Sequence, residues 1–239
     1  MKILGIDSST PNASVSLLEN GVLLSESIHT RTKNTSDKIL SMVDNVCRDA
    51  EVEFGDVYGF CITSGPGSFT GLRVGVSLVK GFVLASEKPF WEIDTLSALA
   101  FSIGRVSLPV CAVLDARKKQ VYASLFQWAG EESFKRKTPS EALNPEHLCS
   151  RITEPTLFIG TGLDSYGEYF AKELGSFYIP ADTSKYSIAE SAVRLSQRSD
   201  NINNKSFDLN SLTIKYARKA EAEFRLSAAL EQEETNNGY

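Results

Sequence analysis

Ser64-Gly65-Pro66-Gly67-Ser68-Phe69-Thr70 is the stretch richest in groups that could do chemistry. It lies between an apolar run, Val57 to Ile62, and a long periodic one. A glycine-rich turn that opens a helix can hold an anion on its backbone N–H groups, and many such turns hold none. This one is not a Walker A loop: no Gly-Lys-Ser/Thr follows at the required spacing, and Lys80 lies deep in the next element. Nor is it a nucleophile elbow, because Pro66 and Thr70 stand where glycines would flank Ser68. Asp7 and Asp115 each close a buried-strand pattern, Ile3 to Ile6 and Val110 to Leu114. The histidines, His29 and His147, have no second histidine at ligand spacing, so no metal is expected on them. Cys47, Cys61, Cys111 and Cys149 are dispersed in apolar segments and read as reduced, buried thiols of a cytoplasmic protein.

The elements that position these groups follow from periodicity. Gly65-Pro66-Gly67 must break the strand before it, because glycine allows positive φ and proline lacks a donor. Ser68 and Thr70 are good caps for the helix that follows, whose apolar stripe is Leu72, Val76, Val79 and Val83. Gly71 and Gly75, four apart, leave a second face bare. Glycine inside a helix costs about 1 kcal/mol against alanine, so another backbone must come close, from a neighbouring helix of this chain or from a partner. Upstream, Ser36 to Ala50 is a helix whose Ile39, Leu40, Met42, Val43, Val46 and Cys47 cover more than a narrow stripe, which predicts burial on two sides.

In order, the first hundred residues read as three meandering strands with a hairpin at Asn20-Gly21, then helix, strand, helix, strand, helix. That is the order of the ribonuclease H-like fold. It starts again at Val110, with strands at Val121 to Trp128 and Glu132 to Lys137, and a helix opened by Pro145. A strand at Thr156 to Ile159, a helix capped by Asp164, a strand at Phe177 to Ile179 and a helix with a Ser187/Glu190 capping box complete it. The expected organisation is α/β, with two tandem ribonuclease H-like domains at 1–104 and 105–211. A last helix, Leu212 to Leu230, should pack back on the first domain.

Two such halves describe the actin, Hsp70 and sugar-kinase superfamily, in which ATP sits in the cleft on two Asp-x-Gly turns. Here Asp7-Ser8-Ser9 and Asp115-Ala116-Arg117 keep the acids and lack the glycines. Gly160-Thr161-Gly162 reads as an adenosine cradle or as a plain strand-end turn. Asp7, Ser9, Asp115, Arg117, Gly160 and Gly162 therefore outline a degenerate nucleotide cleft. A nuclease would need several carboxylates converging on metal, and beyond Asp7 none is placed for that.

The chain has 239 residues, 42% of them hydrophobic, with net charge −5, which makes it a poor nucleic-acid binder unaided. Two basic runs, Arg117-Lys118-Lys119 and Lys135-Arg136-Lys137, fall near hairpin turns, where solvated loops are the usual reading; RNA contact there would need a partner's help. No apolar run reaches the roughly 20 residues of a membrane span, and Met1-Lys2-Ile3 leads directly into a strand, so neither an anchor nor a leader is expected.

Ser64 through Gly75, with Leu114-Asp115-Ala116-Arg117-Lys118-Lys119-Gln120-Val121-Tyr122 downstream, closely resembles the bacterial TsaB family; Ile3 to Thr10 and Tyr216 to Glu223 are similar as well. Thr35-Ser36-Asp37 stands where that family often has His-Ser-Glu, and Ala217 and Ala220 replace its Leu and Ser. The resemblance implies a non-catalytic, glycoprotease-like scaffold that activates TsaD, the transferase adding threonylcarbamoyl to adenosine 37 of tRNAs reading ANN codons. It also implies a homodimer when alone, TsaE in the ternary complex, tRNA contact only indirectly, no membrane and no cofactor, with room for a nucleotide at the partner interface. On that basis Ile39, Met42, Val43, Val46, Gly71, Leu72, Gly75 and Val79 are assigned to the partner-binding helix faces, and Ser64 to Thr70 with Arg73 to the motif loop. The rival reading is an ATP-dependent transferase or kinase working alone through Asp7 and Asp115; a protease has neither a metal motif nor an elbow to support it.

Overall fold

A strand covered on both faces reads as a nearly unbroken apolar run, and β1 (Lys2–Asp7) is buried along its whole length after Lys2. It pairs antiparallel with β2 (Ala13–Glu19), which turns through Asn20-Gly21 into β3 (Val22–His29). Asn20 and Gly21 have φ of 49° and 82°, the left-handed pair that a two-residue hairpin requires. On its other side β1 lies parallel to β4 (Gly59–Thr63), which is flanked by parallel β5 (Phe90–Ile93), giving the order β3-β2-β1-β4-β5.

The second sheet repeats this wiring. Around β6 (Val110–Arg117) lie antiparallel β7 (Gln120–Ala129) and β8 (Ser133–Arg136) on one side. On the other lie β10 (Thr156–Ile159) and β11 (Tyr178–Pro180), both parallel. The order is β8-β7-β6-β10-β11, and a three-residue strand, β9 (Glu141–Leu143), also joins β7. The fold is thus two ribonuclease H-like units in tandem, the arrangement of the actin, Hsp70 and sugar-kinase superfamily. These statements cover residues 1–30, 35–130, 133–182, 186–198 and 201–215, the parts that the computed structural model describes.

Six helices fill the layers among the described residues. α1 (Thr35–Asp49) and α2 (Phe69–Ser86) cover the outer face of the first sheet, and α4 (Pro145–Cys149) and α5 (Gly162–Leu174) that of the second. α3 (Thr95–Ser102) and α6 (Ile188–Ser196) lie between the sheets, in contact with each other. They are exchanged: α3 follows the first sheet in sequence yet packs on β6 and β7, and α6 follows the second yet packs on β1, β2, β4 and β5. Ile3, Leu96, Leu99, Ala112, Leu114, Ala192 and Val193 therefore belong to one shared core. Gly5 explains how α6 comes so near, since a Cβ there would stand 2.5 Å from Val193 Cγ2 and 2.7 Å from the Ala189 carbonyl oxygen.

Most expected elements are present, with three differences. β9 is missing from the periodicity because three residues carry no usable alternation. Asp164 sits in the first turn of α5, where its charge favours the helix dipole, and the cap is Thr161. Leu212 to Lys215 are not helical: Leu212 is buried in the outer core of the first half, and the Lys215 N–H donates to the Ser64 carbonyl at 2.9 Å. The remainder of that expected helix, 216–230, lies outside the described residues.

The exchanged helix predicts a contrast between two glycines. Gly5→Ala should destabilise the protein by about 1–3 kcal/mol in denaturant unfolding, through overpacking against α6. Gly81, on the exposed face of α2 with nothing within 4 Å of an added methyl, should gain roughly 1 kcal/mol on replacement by alanine.

Candidate functional site

The strand–loop–helix unit from β4 to α2 closes over the end of β1. Asp7 is fully buried there. Its Oδ1 accepts hydrogen bonds from the Ser9 N–H at 3.2 Å, the Ser9 hydroxyl and the Thr63 hydroxyl. Its Oδ2 is buried with no hydrogen-bond partner among the described residues. Burial pushes the Asp7 carboxyl above the usual carboxylate range, and the three hydrogen bonds only partly oppose this. A carboxylate used on magnesium or water must be reachable, and Asp7 does not line the cleft.

Three glycines make this closure. Ser68 donates its N–H to the Ser9 carbonyl at 2.6 Å, and the Ser8 hydroxyl donates to the Gly71 carbonyl at 2.8 Å. A Cβ on Gly67 would lie 2.2 Å from the Ser9 oxygen, one on Gly71 1.9 Å from the Ser8 oxygen, and one on Gly75 2.3 Å from the Ser8 hydroxyl. The bare flank of α2 thus receives the β1–β2 turn of its own half, which corrects its assignment to a partner. The remaining loop residues hold the turn. The Ser64 hydroxyl donates to Glu92 Oε1 at 2.8 Å, and Glu92 also takes the Lys215 ammonium at 2.8 Å. Gly65, φ 125°, has Lys215 against it, and Gly65-Pro66 is a cis peptide. Ser68 caps α2 by accepting from the Gly71 N–H at 3.3 Å, next to exposed Thr70. Phe69 is 41% exposed, with the Arg73 guanidinium 3.8 Å from its ring centroid.

The other assigned partner residues also face inward. Ile39, Met42, Val43, Val46, Leu72 and Val79 are buried in the chain, because the most regular apolar stripe of each helix is the one that packs on the sheet. Only Val43 among them reaches an outer groove of about 800 Å³ between α1, α2 and the turn Phe54–Asp56. That groove is lined by Leu40, Cys47, Val52, Phe54 and Phe82, with Asp44, Arg48 and Glu53 beside them. Leu40 is 56% exposed, and Leu84, further along α2, is 74% exposed. Beside its buried stripe α2 carries partly buried Val74, Leu78 and Phe82 and exposed Leu84, and its only charges are Arg73 and Lys80. Sequence reasoning placed Leu40 in the broad buried pattern of α1 but in no site, and singled out none of Phe54, Phe82 and Leu84. The breadth of the α1 pattern was the available signal, and it did not say which residue turned outward.

Between the two halves lies a cleft of about 480 Å³ lined by Ser9, Thr10, Ser68, Phe69, Asp115, Arg117, Tyr122, Thr161, Asp164 and Ser165. Of the six residues expected to form the nucleotide cleft, Ser9, Asp115 and Arg117 meet there. Asp115 is engaged: Oδ1 accepts the Arg117 N–H at 2.8 Å, and Oδ2 lies 3.4 Å from the Ser165 hydroxyl and 3.5 Å from Arg117 Nη1. Gly160 and Gly162 serve packing, since a Cβ on Gly160 would stand 2.1 Å from the Val113 oxygen and one on Gly162 2.5 Å from Val113 Cγ1. Among the described residues no group of three His, Cys, Asp or Glu could hold a metal.

The family model described as "TsaD: tRNA N6-adenosine threonylcarbamoyltransferase" matches residues 22–149. The tRNA threonylcarbamoyladenosine biosynthesis protein TsaB of Escherichia coli K12 is 29% identical over 186 residues, 73% of this chain and 77% of that one. Its namesake in Haemophilus influenzae is 28% identical over 221 residues, 83% of this chain and 88% of that one. The YeaZ structure from Pseudomonas aeruginosa superposes with a TM-score of 0.75 at 23% identity, covering 90% of this chain and 99% of that one.

The burial of Asp7 predicts a pH effect of definite sign. The folded state holds this proton more tightly than the unfolded chain, whose carboxyl titrates near 3.9, so the wild type loses stability as pH rises above about 4 toward the folded-state value. Asp7→Asn should remove that loss: its melting temperature should equal or exceed the wild type's at pH 7, with the difference shrinking toward pH 4. A variant clearly less stable at pH 7 would contradict the assignment.

Proposed function

The chain belongs to the family whose model is described as TsaD, tRNA N6-adenosine threonylcarbamoyltransferase, and within it is similar to TsaB over most of its length; from that premise we propose that it is a non-catalytic subunit of the bacterial machinery that makes threonylcarbamoyladenosine on tRNA. In this reading it binds the transferase TsaD through the outer groove of α1 and α2, with TsaE joining the pair, and helps TsaD modify adenosine 37 of tRNAs that read ANN codons. Alone, it self-associates through the same surface. It works in the cytoplasm and carries no cofactor of its own.

The observation that carries this reading is the apolar groove with Leu40, Phe54 and Phe82, open on the side of the first half away from the cleft-facing core. A pocket of aromatic and aliphatic side chains rimmed by charges has the composition of a helix-docking site, where a few anchors carry most of the affinity. The state of Asp7 supports the non-catalytic half. An enzyme of this superfamily needs that carboxylate at the phosphates, and here it is sealed beneath Ser9 and Thr63.

Leu40→Asp and Leu84→Asp alter exposed side chains, so the fold should be kept by circular dichroism. Each should weaken TsaD capture by about 30-fold, roughly 2 kcal/mol, as expected for a hot-spot residue. Undiminished capture by both variants would move the interface elsewhere. In the reconstituted modification reaction Asp7→Asn should retain wild-type turnover in an assembled complex, and loss of turnover there would favour the enzymatic alternative.

A further inference from the structure

The two basic runs have different structural accounts. Lys135-Arg136-Lys137 closes β8, an edge strand, where charge discourages pairing with other chains, and Arg136 is tied to Asp94 at 2.6 Å. Arg117-Lys118-Lys119 lies at no sheet edge, and the ion contact of Arg117 with Asp115 at 3.5 Å leaves the Arg117 side chain largely accessible. It forms the β6–β7 turn, with Arg117 paired to Gln120, and φ is 62°, 50° and 61° at its three residues. That left-handed region disfavours side chains other than those of Asn and Asp, and the β2–β3 turn of the same protein uses Asn20-Gly21. Three consecutive cations in this conformation cost conformational free energy at a turn where a cheaper sequence exists, and strain of this kind concentrates at ligand-contacting segments.

Their position indicates what they contact. All three are exposed, with the Arg117 side chain 83% accessible. Arg117 lines the cleft opposite the start of α2, where Phe69 stacks with Arg73 at 3.8 Å, and Tyr122 lines the same cleft. Arg117 lines the cleft with Asp115 and Asp164, Lys118 and Lys119 continue the same exposed turn, and Arg73 stands against the cleft-lining Phe69, so four cations gather near this mouth on a chain of net charge −5. Clustered cations with an accessible planar group are what a single strand of nucleic acid needs: phosphates take the cations and a base takes the plane.

We propose that the β6–β7 turn and the first turn of α2 form a lip that binds single-stranded RNA, with Arg117, Lys118 and Lys119 on backbone phosphates and the Phe69–Arg73 pair against a base. This rests on the tRNA-modification reading above and extends it, by giving the subunit a direct hold on an unpaired region of the substrate. A free nucleotide offers the same phosphate and base, so the test must separate the two sources.

The informative variant is Lys118→Asn/Lys119→Gly, which removes two charges while giving the turn its preferred residues, so its melting temperature should equal or exceed the wild type's. Binding of a fluorescent anticodon stem-loop RNA is followed by anisotropy at several salt concentrations, on the full chain and on its complex with TsaD. The double variant should bind about tenfold more weakly at 0.1 M salt, with the slope of log affinity against log salt reduced by about 0.7 per cation lost. Phe69→Ala should weaken binding with little change in that slope. Adenosine monophosphate should fail to compete at concentrations that saturate with RNA. Wild-type RNA affinity in the double variant, or competition by the mononucleotide as effective as by RNA, overturns the lip. TsaD capture is read on the same preparations and depends on none of these residues; its failure for the wild-type chain would overturn the subunit reading instead.

Discussion

The protein depends on one backbone-to-backbone contact, the β1–β2 turn lying in the track of Gly67, Gly71 and Gly75. The Ser8 and Ser9 carbonyls come so close to the loop and α2 that any side chain at Gly67 or Gly71 would collide with them. This contact fixes where α2 starts, because Ser68 is at once the cap of the helix and a donor to Ser9. It also covers Asp7. The geometry that puts α2 on the sheet thus also removes the Asp7 carboxylate from solvent, and one structural feature accounts for both the place of the loop and the burial of the acid.

The exchanged helices follow from the same economy of space. Neither sheet covers its own inner face; α6 covers the first and α3 the second, and Gly5 and Gly160 remove the side chains that would hold them off. Polar residues sew the seam. Ser14 accepts the Ala189 N–H at 3.1 Å, Ser16 and Ser187 share a hydrogen bond at 3.1 Å, and Asp94 caps α3 while holding Arg136 of the second sheet. Burial of a hydroxyl or carboxylate is costly without such partners. The outer faces are then left for other work, and that of the first half carries an open apolar groove.

Much of this was legible in the sequence. The succession of elements, the loop, the capping serines and the twofold repetition of that succession are local patterns, each written in adjacent residues. The spacing of Gly71 and Gly75 announced a close approach but could not identify the approaching backbone, because Ser8 is more than sixty residues away. For the same reason Ile39, Met42, Val46 and Val79 read equally well as core or as interface: periodicity gives a face, and tertiary packing decides what the face meets. Leu40 differs from Ile39 by one position and about 100° of helix rotation, which turns one outward and the other into the core. The strained turn at Arg117 to Lys119 was visible only as a charge run, since φ is not written in residue type.

Hydrogen–deuterium exchange on the full chain, with and without TsaD, tests the central claim most directly. If α1 and α2 bind the transferase while the turn over Asp7 stays closed, peptides covering Leu40 to Arg48 and Leu78 to Ser86 should gain protection on adding TsaD. The peptide over Asp7 to Thr10 should be equally slow in both states. Fast exchange at Ser8 to Thr10 in the free chain, or new protection confined to the cleft with none on α1 and α2, would contradict the account.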